Sequence, residues 1–139
     1  MPAPTPCLCA ALRRATRSVT RVYDDALRPL DLRITQFSLL RQLVRHGERT
    51  MRELAALVVI EETALNRAAR GLESRGWIAI RTGEDRRARV LAITAAGRAL
   101  LAEAEPRWHA VQRRMAAELG ADWQVLLTSL EAVTASAAP

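Results

Sequence analysis

The chain has no lysine: all 21 of its basic residues are arginine, set against 15 acids for a formal net charge of +6. Arginine presents a planar fork that matches phosphates and guanine edges, which a lysine ammonium does not. GC-rich coding produces the same bias, so composition alone leaves both readings open. Aromatic residues are scarce as well, with one Phe, one Tyr and three Trp. The core must therefore be aliphatic, and abundant Ala and Leu with few β-branched runs favour helix. No stretch of roughly 18 apolar residues occurs, which excludes a helical membrane span. The opening Met-Pro-Ala-Pro-Thr-Pro has neither the basic nor the apolar region of a secretory signal. A cytoplasmic protein is expected, with no membrane partner and with its two cysteines, Cys7 and Cys9, reduced. Phosphate loops, nucleophile elbows and metal-hydrolase motifs are missing too. Neither enzyme activity nor a catalytic residue, cofactor or dedicated metal site is expected.

What is present points to a polyanionic partner. The 139 residues, half of them hydrophobic, suffice for one domain with a real core. Residues 1–49 carry nine arginines against four acids, and residues 50–94 eight against six. Residues 95–139 carry four against five, so the positive charge lies in the first two thirds.

Hydrophobic spacing predicts a mostly α chain with one small β-hairpin. Residues 1–6 hold three prolines and are expected to form a flexible leader. A first helix runs from Cys7 to about Leu27, with Leu8, Leu12, Val19 and Val22 at helical spacing, and Pro29 closes it. Thr35 is the expected cap of a second helix that ends near His46-Gly47. Thr50-Met51-Arg52-Glu53 has capping-box form and opens a short third helix. Val58-Val59-Ile60 makes the turn into a fourth, from about Glu62 to Ser74. The period then becomes alternating over residues 77–81 and 88–93, two strands joined by the polar turn of residues 82–87. Thr94 caps a long fifth helix ending near Leu119, and a sixth covers about Asp122 to Thr134.

Helix, short helix, turn, helix and hairpin is the order of a winged helix-turn-helix. In that arrangement the helix after the turn enters the DNA major groove. The terminal helices keep an apolar face that a symmetric partner would bury. The expected organisation is a dimerisation helix and connector over 7–34, a DNA-binding domain over 35–97 and dimerisation helices over 98–139.

Particular residues carry a family resemblance from about Thr35 to Leu101. They are Gln36-Phe37-Ser38-Leu39-Leu40, Met51-Arg52-Glu53-Leu54-Ala55 and Leu72-Glu73-Ser74-Arg75-Gly76-Trp77-Ile78. The most specific run is Glu84-Asp85-Arg86-Arg87, followed by Thr94 and Gly97. This stretch resembles the MarR family of winged-helix regulators. The resemblance implies a homodimer, usually a repressor, on pseudo-palindromic double-stranded DNA. It also implies release by a small phenolic or lipophilic effector or by thiol oxidation. Mapped onto this chain, the reading helix presents Thr63, Ala64, Asn66, Arg67 and Arg70. Asn66 suits adenine, and Arg67 suits guanine or a phosphate. In the wing, Asp85 is expected to hold the turn by pairing with an arginine. Arg86, Arg87 and Arg89 then reach the minor groove or backbone.

Two features depart from the pattern. Glu61-Glu62 stands where the family commonly has Asp-Arg, and Glu62 either accepts from cytosine N4 or is repelled by phosphate. Gly71 lies inside the reading helix at a cost of about 1 kcal/mol against Ala, which a close helix contact would explain. Both motivate an alternative function: a dimeric interaction protein of the same fold with weak or lost DNA binding.

Cys7 and Cys9 sit at the start of the first helix near Arg13 and Arg14, a setting that favours thiolate. Cys9, with Tyr23 fourteen residues on, is similar to the peroxide-sensing branch of the family, in which a matching tyrosine hydrogen-bonds the cysteine. The residues alone leave two other readings open: soft ligands for a thiophilic metal completed by a second subunit, or small apolar residues at an interface. His46 and His109 read as surface or helix-end residues. Trp77, Trp108 and Trp123 read as core or interface, or as walls of an apolar effector pocket.

Overall fold

The computed structural model describes residues 1 and 4–139. Of the expected leader, Pro2 and Ala3 lie outside the described residues, and Pro4 to Pro6 are irregular and exposed. The chain forms α1 (Leu8–Leu27), a 3-10 turn (Arg28–Leu30), α2 (Ile34–His46), β1 (Arg49–Thr50), α3 (Met51–Val58) and α4 (Glu62–Ser74). Then follow β2 (Ile78–Thr82), β3 (Arg89–Ile93), α5 (Ala95–Leu119) and α6 (Asp122–Ser136). It is a mostly helical winged-helix fold. Among the described residues no helix is long and apolar enough to cross a membrane.

The sheet has three strands, not the two of the expected hairpin. Its order is β1-β3-β2, antiparallel throughout, with Ile80 opposite Leu91 and Thr82 opposite Arg89. The extra strand pairs Arg49 with Leu91 and Thr50 with Val90 on the free side of β3. Two residues are too few to show alternation, so this strand leaves no periodic trace in the sequence. Its effect is large, because it ties a marginal hairpin to the helical body.

The start of α2 also differs from expectation. Arg33, not Thr35, occupies the cap position in extended conformation. Its N–H donates to Gln36 Oε1 at 3.0 Å, and the Ile34 N–H donates to Asp24 Oδ1 at 2.8 Å. An acid from the preceding helix supplies the acceptor, so Thr35 falls inside the helix. Such a partner lies beyond any local motif.

One continuous core of Leu27, Phe37, Leu40, Leu43, Leu54, Leu65, Leu72 and Leu91 joins α1 to α4 and the sheet. Each of these side chains contributes about 1.5–3 kcal/mol by leaving water. Leu101 and Ala104 bring the first half of α5 into the same core. Helix α3 ends with Val59 in the left-handed region (φ 55°). There its N–H and that of Ile60 donate to the carbonyls of Ala56 and Ala55. A β-branched residue resists this conformation by about 1–2 kcal/mol.

Helix α4 ends in a Schellman motif at Gly76 (φ +78°). The Trp77 N–H donates to Leu72 O at 3.1 Å and the Gly76 N–H to Glu73 O at 2.9 Å. Next to it α5 begins: Thr94 Oγ1 accepts from Gly97 N at 3.0 Å and donates to Gly76 O at 2.6 Å. Gly97 is pressed against the sheet. A Cβ there would stand 2.1 Å from Trp77 O and 2.8 Å from Ile93 Cγ1. Gly71 is the opposite case, with nothing within 4 Å of an added Cβ, so no helix contact explains it.

The two glycines should therefore respond oppositely to alanine in urea unfolding at one fixed protein concentration. Gly97→Ala should lose about 3 kcal/mol through backbone displacement. Gly71→Ala should gain about 1 kcal/mol from helix propensity. Equal shifts of the same sign would contradict the packing described.

Candidate nucleic-acid interface

Helix α4 buries Leu65, Ala69 and Leu72 and turns Thr63, Ala64, Asn66, Arg67 and Arg70 to solvent. Thr63, Asn66, Arg67 and Arg70 follow at i, i+3, i+4 and i+7, so they share one stripe. The start of α3 is fixed beside it by a reciprocal cap. Glu53 N donates to Thr50 Oγ1 at 3.1 Å, and Thr50 N donates to Glu53 Oε2 at 2.9 Å.

The wing is the segment between β2 and β3, closed by Gly83 N donating to Ala88 O at 2.9 Å. Asp85 shapes its tip in a different way from that expected. Its Oδ1 accepts from the backbone N–H of Arg87 at 3.0 Å, and its carbonyl accepts from Ala88 N at 2.8 Å. Among the described residues it makes no ion pair with an arginine side chain. The backbone donor two residues on is nearer to a turn aspartate than any long side chain, as in an Asx turn. Arg86, Arg87 and Arg89 are exposed and form no salt bridge among the described residues.

Wing and helices enclose an open cleft of about 700 Å³. Thr50, Met51 and Arg52 line it from the start of α3, with Glu62, Thr63 and Asn66 from α4 and Asp85, Arg87, Ala88 and Arg89 from the wing. The structure thus brings Thr63, Asn66, Asp85, Arg87 and Arg89 together. Ala64, Arg67, Arg70 and Arg86 are exposed nearby but do not line the cleft. Sequence reasoning does not nominate Thr50, Met51 or Arg52. The capping box announces a helix start there, but its approach to the wing comes from β1 pairing with β3.

The expected sensor residues do not meet within one chain. Cys7 caps α1, Cys9 lies in its first turn, and both are exposed. Tyr23 is buried, and its hydroxyl donates to Gln112 Oε1 on α5, not to a cysteine. Fourteen helical residues separate Tyr23 from Cys9 by about 21 Å along the axis. Among the described residues no group of three or more His, Cys, Asp or Glu could hold a metal ion.

Trp77 is buried under the Arg75 guanidinium at 4.2 Å, and Trp108 stacks on Phe37 at 5.7 Å beneath Arg41 at 4.0 Å. These rings are structural. An apolar hollow of about 830 Å³ lies elsewhere, between Val58, Val59 and Ile60 and the end of α6, and no tryptophan lines it. His46 is the last residue of α2, and His109 faces Glu105 at 3.4 Å on the surface.

Burial raises the Tyr23 hydroxyl above its ordinary value of 10.0. The folded chain therefore holds this proton more tightly than the unfolded chain does. The resulting stability is present below pH 10 and is lost as pH rises through the folded value. Alkaline denaturation should start later in Tyr23→Phe, which cannot ionise, although loss of the hydrogen bond costs it about 1 kcal/mol at neutral pH. Identical alkaline profiles would contradict the burial.

A family model described as MarR family matches residues 30–88. The M. tuberculosis transcriptional regulator MosR, in complex with DNA, is 36% identical with a TM-score of 0.89. The alignment covers 95% of this chain and 96% of that one. The transcriptional repressor CouR, bound to a 23-mer DNA duplex, is 30% identical with a TM-score of 0.81, covering 93% of this chain and 92% of that one. An uncharacterised HTH-type transcriptional regulator of Bacillus subtilis, YwoH, is 27% identical over 75% of this chain and 71% of its own length. The fold is thus shared with solved transcriptional regulators over nearly the whole chain, and this chain belongs to the MarR family of transcriptional regulators.

Proposed function

We propose that the chain is a homodimeric, cytoplasmic repressor that reads a pseudo-palindromic operator. In this reading α4 lies in the major groove, presenting Thr63, Ala64, Asn66, Arg67 and Arg70. Arg86, Arg87 and Arg89 of the wing contact the adjacent minor groove or its phosphates. The observation that carries the reading is the cleft in which Thr63 and Asn66 of the α4 stripe, Arg52, and Arg87 and Arg89 of the wing converge. The DNA complexes of MosR and CouR support it by similarity. Homodimerisation is supported by α6, which buries none of its residues and leaves Val125, Leu126, Leu127 and Leu130 exposed. Release follows a small phenolic or lipophilic effector or oxidation of Cys7 and Cys9, whose exposure at the start of α1 gives oxidants access.

Fluorescence anisotropy against DNA from upstream of the chain's own gene tests the first part. Affinity should fall steeply with salt, and Arg67→Ala and Arg87→Ala should each weaken it by about 1–3 kcal/mol. Unchanged affinity in both variants would sink the placement of these residues.

Oxidation tests the second part. Mild peroxide should lower operator affinity of the wild type and leave a Cys7→Ser, Cys9→Ser double variant unaffected. An equal loss in both would remove the cysteines from the release mechanism.

A further inference from the structure

Glu62 is the one feature of the cleft that phosphate binding does not accommodate. It is the first residue of α4, exposed, and lines the same wall as Thr63 and Asn66. Arg52, Arg87 and Arg89 line the cleft too, yet none forms an ion pair with Glu62 among the described residues. Asp85, the other acid of the cleft, is occupied by a backbone N–H of its own wing. The Glu62 carboxylate therefore lines the cleft, exposed and without a hydrogen-bond or ion-pair partner among the described residues.

We propose that Glu62 is a specificity-determining residue that reads cytosine in each half-site. The assignment rests on the inference above that α4 enters the major groove. A carboxylate there can only accept, and the donors on offer are cytosine N4 and adenine N6. Adenine presents the N7 acceptor beside its N6 donor, which repels a carboxylate. Cytosine shows a donor with no acceptor on its own ring edge, so it is the base that suits Glu62. The arginines around it hold phosphates and offset the repulsion that a lone acid would suffer near the backbone. Asn66 lies one turn further along the same stripe, about 6 Å away along the axis. With about 3.4 Å per base along a strand, the cytosine read by Glu62 falls about two base pairs from the adenine read by Asn66.

The test is selection from duplexes with a randomised core, using the wild type, Glu62→Gln, Glu62→Ala and Arg87→Ala. The wild type should enrich a motif with C·G at one position of each half-site, about two base pairs from an A·T pair. Glu62→Ala should lose preference at that position alone and bind the wild-type motif about tenfold more weakly. Glu62→Gln should move the preference there toward A·T, because an amide matches adenine N6 and N7. Arg87→Ala should keep the motif and bind all duplexes more weakly. If both Glu62 variants keep the full wild-type motif and bind every duplex more tightly, Glu62 is a repulsive charge and the proposal is overturned. If the wild type itself enriches no motif, the DNA-binding reading fails first and the proposal falls with it.

Discussion

At the corner where α4 ends and α5 begins, the chain passes through a contact with no room for a side chain. Gly97 sits so close to the Trp77 carbonyl that any Cβ would overlap it. Thr94 bridges the same corner, donating to Gly76 O while accepting from Gly97 N, and the Thr94 N–H donates to Trp77 O at 3.0 Å. The Schellman end of α4, the first residues of β2, the end of β3 and the first turn of α5 thus share one set of bonds. The angle between α4 and the wing is set there, and so is the angle at which α5 leaves. The cleft lies between two elements that meet at this corner, α4 and the wing, with the start of α3 brought in by the pairing of β1 with β3.

On that frame the electrostatics are arranged by keeping some arginines busy and others free. Arg75 is held by Asp31 at 2.9 Å and lies over Trp77, while Arg81 pairs with Glu48. Arg41 covers Trp108 and reaches toward Glu105. The guanidinium groups of Arg75 and Arg41 act as packing elements, their planar faces covering aromatic rings at half-exposed positions. At the wing tip Asp85 is satisfied by the backbone, and among the described residues neither it nor Glu84 forms a salt bridge with an arginine. Exposed ion pairs contribute little to stability, so leaving the wing arginines unpaired costs the fold almost nothing. It leaves their charge for a polyanion.

The winged-helix order was legible because its signals are local. The capping box at Thr50, the helical spacing in α4 and the alternation of β2 and β3 each occupy a few consecutive residues. What escaped was set by partners far away in sequence. Asp24 caps α2 across ten residues, β1 is two residues recruited by β3, and Tyr23 finds Gln112 rather than a cysteine. Gly97 belongs to a recognisable sequence pattern, but the reason for it, a carbonyl contributed by Trp77, exists only after folding. Gly71 shows the converse, a residue that invited a packing explanation and has none. For the candidate site the division is similar. The α4 stripe and wing arginines could be named from the sequence, whereas Arg52 enters the cleft only through the pairing of β1.

The remaining constraint lies at the other end of α5. Helix α6 has 15 residues and buries none of them, and an isolated helix of that length is marginal in water. Its stability must come from covering Val125, Leu126, Leu127 and Leu130, and a second copy of the chain is the partner inferred above. Helix α1 adds Leu8 and Val19 to the exposed apolar surface and is tied to α5 through Tyr23 and Gln112. Helix α5 is then the rod between this assembly and the reading head, with Leu101 and Ala104 in the winged core and Val111 buried in its second half. Pro106 stands between those two halves. Lacking an N–H, it cannot bond the carbonyl of Ala102, which makes this the point where the rod bends most easily. A chemical change at Cys7 or Cys9 lies at the far end of α1, about 21 Å from Tyr23. Under the release proposed above, it would act on α4 by shifting α1 against α2 and α5, the helices it packs on. The Tyr23–Gln112 hydrogen bond offers one route into α5. Because Gly97 leaves no room beside the Trp77 carbonyl, a displacement of α5 at that end would press directly on the start of β2.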